Sequence, residues 1–230
     1  SILREKLCKS NKKVVSYFMG LVLKDLNLEF PSYGHMILSG KSPILVYPIH
    51  TNAYRILIDY PGGKAPKMGK YSMEQLKNNV IECLPSEMIP SFLDAFEEGN
   101  LKVMPNHSMK GQAICKKGAV LLGDSLNMRH PLTGGGMTAA FSDIICLNEE
   151  LKKIDFQDKT KIEEAISEYY KKRSKGVESI NILANALYEV FIDNELKHAC
   201  FDYLKKGGEQ ATGPLSILSG INKSKPLLLK

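Results

Sequence analysis

The stretch that most limits the fold of this chain starts with an unbroken apolar run, Ala119-Val120-Leu121-Leu122. It leads straight into Gly123-Asp124, a polar loop, and three consecutive glycines, Gly134, Gly135 and Gly136. A strand apolar on both faces belongs in a buried, mostly parallel sheet covered by helices. Ligands of open α/β sheets bind outside the carboxyl ends of such strands. Glycines at a helix start let backbone amides approach an anion closely, and the helix terminus adds about half a positive charge. An Asp at the strand end can accept hydrogen bonds from the hydroxyls of a sugar or ribitol. Gly-Asp turns and glycine-rich entries each recur by chance, but their combination at this spacing favours a ligand site. The helix after the glycines is expected over about 137–153, with Met137, Ala140, Phe141, Ile144, Ile145 and Leu151 on one face.

The flanking sequence divides into two patterns. Residues 14–23, 35–38, 44–48 and 54–59 are β-branched or aromatic runs separated by Ser39-Gly40-Lys41-Ser42 and His50-Thr51-Asn52. These gaps are too short for parallel crossovers, so the expectation is an antiparallel meander. Ser72 and Gln75 fit a capping box opening a helix, and a second short helix over 89–98 ends at Gly99-Asn100. A short strand follows over 101–104. From Thr160 onward the apolar spacing is helical, and Lys171-Lys172-Arg173 is the wet face of a long helix. The domain reading is a sheet with two helices over 1–100, a ligand-binding part over 101–153, and a helical region over 154–230.

Charge and cysteine usage exclude several classes. Lys and Arg number 31 against 25 Asp and Glu, a net +6, with no basic stripe interleaved with aromatics; a nucleic-acid partner is not expected. The five cysteines, Cys8, Cys83, Cys115, Cys146 and Cys200, are scattered without a C-x-x-C pair. That argues against a disulfide framework or a zinc site, and for a reducing compartment. The N-x-S sequons at Asn106 and Asn222 mean little without secretion. No run approaches the ~18 apolar residues of a membrane span. Gly123-Asp124-Ser125-Leu126 also spells the signature of the GDSL esterases. A serine nucleophile needs a His base and an orienting Asp, and no D-x-x-H follows, so the hydrolase reading is rejected.

The string G-D-S-L-N-M-R-H-P-L-T-G-G-G-M-T-A-A-F-S-D-I, beginning at Gly123, resembles the second FAD-binding motif of the squalene epoxidase (squalene monooxygenase) family. Its N-M-R-H-P-L-T-G-G-G-M core is specific to that family. The resemblance extends over nearly the whole chain: P-I-L-V-Y-P-I from Pro43 resembles the family's substrate-domain strand. N-I-L-A-N-A-L-Y-E-V-F from Asn181 and A-C-F-D-Y-L-K-K-G-G-E from Ala199 resemble its C-terminal helices. The implied fold is α/β (α+β): a partial FAD-binding, GR2/Rossmann-like flavoprotein hydroxylase fold with an antiparallel substrate-domain sheet and C-terminal helices.

The resemblance implies epoxidation of squalene with O₂ through a flavin C4a-hydroperoxide, giving (S)-2,3-epoxysqualene for sterol biosynthesis. Electrons come from NADPH through cytochrome P450 reductase. The implied location is the cytosolic face of the endoplasmic reticulum membrane, or lipid droplets. By motif position the cofactor is held by Gly123, Asp124, Pro131, Gly134, Gly135, Gly136 and Met137. No metal and no catalytic side chain is required, because the flavin carries the chemistry. Tyr47, Leu132, Phe191, Phe201, Leu204 and Pro214 are the implied lining of a long apolar substrate pocket. No G-x-G-x-x-G is found, and Ser1-Ile2-Leu3-Arg4 resembles the residues following the family's middle D-G motif. Gly213-Pro214-Leu215 leads toward a membrane-associated end, with Pro226-Leu227-Leu228-Leu229-Lys230 as its threshold. The expectation is a fragment that binds FAD poorly alone. Another FAD-dependent hydroxylase, or a truncated non-catalytic paralogue, stays open as an alternative.

Overall fold

A computed structural model describes residues 2–7, 11–38, 42–113, 116 and 118–222. Ser1, Cys8, Cys115, the Ser39-Gly40-Lys41 part of the first turn and the 226–230 tail lie outside the described residues. The chain divides into two units. Unit 1 comprises Ser1–Lys13, His107–Glu189 and His198–Lys230; unit 2 comprises Val14–Asn106 and Val190–Lys197.

After a short helix α1 (Ile2–Leu7), the strands are β1 (Lys13–Lys24), β2 (His35–Ile37), β3 (Ile44–His50), β4 (Ala53–Pro61) and β5 (Lys102–Ser108). They form one sheet in the order β2-β3-β4-β1-β5, with β1·β4, β2·β3 and β3·β4 antiparallel. The short gaps predict the β2-β3-β4 hairpins, but β1 departs from the expected meander, because it pairs with β4 rather than with β2, its neighbour in sequence. Thr51-Asn52 joins β3 to β4 as a two-residue hairpin, the short connection that antiparallel neighbours permit. Register then sets the core. Met19 lies opposite Ile58, Leu21 opposite Ile56 and Leu23 opposite Tyr54. Ile44 and Val46 face Ile58 and Ile56 across the other edge of β4. With period 2, all eight side chains occupy one face, and a one-residue slip would expose them together.

That face packs against α2 (Lys70–Ile81) and α3 (Ile89–Glu97) through Val80, Leu84, Met88, Phe92 and Ala95. The Ser72 capping box is not formed. The helix starts two residues earlier, with Gly69 at the N-cap and no side-chain cap, so Ser72 is inside the first turn and Gln75 donates to the Tyr71 hydroxyl. α3 does end where expected, with Gly99 at φ +71°.

Unit 1 is mainly helical: α4 (Gly135–Leu151), α5 (Lys159–Ile192, continuing into unit 2), α6 (Asn194–Lys205, beginning in unit 2) and α7 (Gly208–Leu218). Gly207-Gly208 ends α6 as expected, but Gly208 then opens α7, which carries Pro214 inside it. The predicted strand over 119–122 is not a strand. It is an extended segment with one isolated bridge, Lys116 to Ala119. Its backbone is satisfied from α5 instead: the Tyr170 hydroxyl accepts from the Leu121 N–H at 3.2 Å, and the Tyr169 hydroxyl donates to the Leu121 carbonyl at 3.2 Å. Buried backbone groups need partners, and side-chain hydroxyls meet that need as well as a ladder does. Among the described residues no helix is long and apolar enough to cross a membrane.

Candidate functional site

The site residues predicted around Gly123 come together in unit 1. Residues 123–125 form one 3-10 turn and 131–133 a second, and α4 begins directly after. Gly123 has φ +53°, and a Cβ there would stand 3.1 Å from the Ala140 Cβ on α4. Only glycine allows this turn both its left-handed backbone and its close approach to the helix. Gly134, at φ +67°, closes the second turn and caps α4 at the same time. Gly135 is buried, and a Cβ there would come within 2.9 Å of Ile180 Cγ2, so α4 and α5 cross closely at this point.

The helix terminus is open. Gly134 provides no side-chain cap, which leaves the first-turn amides of α4 available to an acceptor. Asp124 is exposed beside it, its carboxylate oxygens lying 3.6 and 3.8 Å from where a Gly136 Cβ would be. Thr133 Oγ1 is buried and has no hydrogen-bond partner. An exposed acceptor, a glycine-lined amide terminus and an orphaned hydroxyl fit the sugar and phosphate side of a dinucleotide such as FAD. Pro131 is exposed, Leu132 is buried, and Met137 points outward at 69% exposure.

Behind the turn lies a set of polar groups that reading the sequence did not bring together. One of them, Arg173, is not on the wet face of the long helix as expected but buried against α4, where Asp143 pairs with it. Asp143, fully buried on α4, accepts the Gly123 N–H at 2.7 Å and the Arg173 Nε–H at 2.9 Å. Arg129 donates to the Gly135 carbonyl at 3.1 Å, and to the Asn127 carbonyl and Oδ1 at 2.8 and 3.1 Å. Asn127 in turn donates to the Met109 carbonyl at 2.9 Å. Burial lowers the Arg129 guanidinium from its usual value, opposed by the nearby Asp124 carboxylate. Burial, reinforced by Asp143, raises the Tyr169 hydroxyl. An Asp within the otherwise largely apolar run 139–147 of α4 was the one signal in the sequence for this network.

Ser125 and His130 are both engaged structurally. The Ser125 hydroxyl donates to the Leu122 carbonyl at 2.5 Å and accepts from the Leu122 N–H at 3.2 Å. His130 Nδ1 accepts from the Leu132 N–H at 3.2 Å, and its ring stacks on Tyr188 with centroids 3.8 Å apart. Asn106 is buried, with Nδ2 donating to Ser16 Oγ at 2.8 Å, so the first sequon is closed to a glycan.

The remaining predicted residues are spread over both units. Leu204 is half-buried on α6, Phe201 is exposed on α6, and Pro214 is half-buried in α7. Tyr47 is half-buried on β3, and Phe191 is buried near the end of α5. The apolar stripe of α4 is the reverse of what amphipathic packing suggests. Phe141, Ile144 and Ile145 are exposed, whereas the buried residues are Gly135, Ala139, Asp143 and Glu150. α4 therefore seats its small and polar face on unit 1.

This is the fold of the FAD-dependent monooxygenases. Klebsiella pneumoniae HpxO complexed with FAD and uric acid superposes with a TM-score of 0.71 at 14% identity, over 97% of this chain and 58% of that one. Pseudomonas aeruginosa PqsL in complex with 2-aminobenzoylacetate gives 0.63 at 18% identity, over 85% and 53%. Within that class the chain belongs to the squalene epoxidase family, whose sequence model matches residues 1–230. It is 44% identical to Squalene epoxidase 3 of Arabidopsis thaliana, over 96% of this chain and 44% of that protein. It is 37% identical to the squalene monooxygenase of Mus musculus, over 98% and 40%. The chain thus spans less than half the length of these relatives.

Proposed function

We propose that the full-length protein containing this chain is a squalene monooxygenase. It converts squalene and O₂ to (S)-2,3-epoxysqualene and water, using two electrons from NADPH delivered by cytochrome P450 reductase. The observation that carries the reading is 36–44% identity to squalene epoxidases along nearly the whole chain.

FAD, when bound and reduced, supplies the activation of O₂. The chain's own residues bind and orient. Asp124 accepts hydrogen bonds from the ribityl hydroxyls, and Gly123 lets the turn lie close enough to α4 for that carboxylate to overhang the helix start. The amides of Gly135, Gly136 and Met137 present partial positive charge to the cofactor's electron-rich edge. Pro131 and Gly134 shape the wall between them. Leu132, Phe201, Leu204, Pro214, Tyr47 and Phe191 are all assigned by resemblance to exclude water from a hydrocarbon substrate. Ser125 and His130 are bound into the backbone of the turns, which accords with a reaction that asks no side chain for strong acid or base work. The protein acts at the cytosolic face of the endoplasmic reticulum, against the membrane surface, and takes no nucleic acid.

The test is conversion of squalene by the purified full-length protein with NADPH and cytochrome P450 reductase, read as epoxide by mass spectrometry. Epoxide formation that needs all three components supports the reading. A yellow protein that is inert on squalene overturns it and favours another FAD-dependent hydroxylase.

A further inference from the structure

Among the described residues no strand leads into the Gly123–Asp124 turn. Residues 119–122, which lead into it, form no regular ladder, and the two tyrosine hydroxyls reach only Leu121. Within the turn the Gly123 carbonyl accepts from the Leu126 and Asn127 N–H groups and Ser125 ties back to Leu122, but these bonds only shape the turn. The Gly123 N–H ties it to α4, and its acceptor is the fully buried Asp143 carboxylate at 2.7 Å. The other oxygen of that carboxylate takes the Arg173 Nε–H at 2.9 Å, where the two side chains are 0% and 5% exposed. Burying a carboxylate is costly unless a charge matches it and its lone pairs are used. Arg173 supplies the charge and Gly123 uses a lone pair. One ion pair between α4 and α5 therefore aims a bond at the residue immediately before the predicted cofactor acceptor. Charge-assisted bonds are shorter and stiffer than neutral ones, which suits a holding role.

We propose that Asp143 and Arg173 are positioning residues for cofactor binding: the pair sets the Gly123–Asp124 turn over the N-terminus of α4, so that Asp124 is preorganised for the ribityl hydroxyls of FAD. This rests on the flavin reading of the turn given above. Neither residue needs to touch the cofactor. Asp143→Asn keeps the shape and can still accept from Gly123, but it turns an amide toward Arg173 and leaves the buried guanidinium without a counter-charge. The turn then loses its fixed orientation while Asp124 itself remains in place.

The experiment uses the full-length protein stripped of flavin and titrated with FAD, with flavin fluorescence giving the dissociation constant and urea denaturation giving stability. Asp143→Asn is expected to weaken FAD binding on the order of tenfold, the scale of one buried hydrogen-bond network disrupted. Arg173→Lys, which keeps the charge but not the Nε geometry, is expected to weaken it several-fold (roughly, on the same scale). Phe92→Ala, an equally disruptive core truncation in unit 2, is the control and is expected to leave the FAD constant within about twofold. Parent-like FAD affinity in Asp143→Asn, or in Arg173→Lys if the Asn variant does not fold, overturns the assignment. So does a loss of affinity in Phe92→Ala as large as that in the pair's variants, since it would mark the effect as general destabilisation. Asp124→Ala separates the two readings. If it abolishes FAD binding while Asp143→Asn does not, only the positioning role fails. If Asp124→Ala also binds like the parent, the flavin reading of the turn fails with it.

Discussion

Replacing Gly123 by alanine tests whether the turn really lies against α4. Two costs can be worked from the structure. At φ +53° an L-residue pays roughly 1–2 kcal/mol for the left-handed backbone. The new Cβ would stand 3.1 Å from the Ala140 Cβ, inside the ~3.5–4.0 Å at which carbon atoms attract. Neither methyl can rotate away, so relief requires backbone movement, at roughly 1–3 kcal/mol for overpacking. The stiffer unfolded chain returns about 0.4–1 kcal/mol. The net expectation is a loss of about 3 kcal/mol. Gly134→Ala is the matched control: φ is +67° with ψ 0°, ordinary left-handed backbone, and nothing lies within 4 Å of the new Cβ, so only the backbone cost applies, about 1 kcal/mol net. Urea denaturation of the full-length protein, followed by circular dichroism, compares the two. If Gly123→Ala costs no more than Gly134→Ala, the close approach of turn and helix is wrong, and the placement of Asp124 built on it fails too.

Two further outcomes follow from the packing and the charges. Phe92, on α3, is completely buried in the core it shares with the sheet, so Phe92→Ala should lower stability by about 3–5 kcal/mol in the same denaturation, and an unchanged midpoint would contradict the core of unit 2. Glu150 accepts from Lys153 and Lys172, and those hydrogen bonds, the Lys153 one first, hold its carboxyl below the usual range. Its contribution is therefore complete above its unfolded pKa and is lost as pH falls through the lower folded value; Glu150→Gln should flatten that part of the acid-denaturation curve, and an identical curve would refute the pairing.

The β2-β3-β4 hairpins of unit 2 were legible because period-2 alternation and gaps of a few residues leave no room for a crossover. The return of β1 to β4 was not, because the longer segment between β1 and β2 does not fix which strand β1 meets. The run over 119–122 was misread because an apolar tetrapeptide looks the same whether a neighbouring strand or a pair of tyrosine hydroxyls satisfies its backbone. Ser72 carried a capping signature, but α2 begins at Lys70, and a cap one turn too late is only a serine in a helix. At the candidate site, Gly123, Asp124 and the three glycines were visible as local chemistry, since turn geometry and helix entry are written within a few residues. The partners behind them were not. Asp143 and Arg173 lie 30 residues apart, and only the crossing of α4 and α5 makes one the counter-charge of the other. The exposed stripe of Phe141, Ile144 and Ile145 shows the same limit, because periodicity marks an apolar face without saying what it meets.

The account turns on Asp124 as the cofactor's acceptor at the open end of α4. Flavin content of the purified full-length protein, measured from its visible absorbance with and without Asp124→Ala, tests this most directly. The account predicts a yellow parent and a folded variant that has lost its FAD; a variant retaining the parent's flavin occupancy would contradict it.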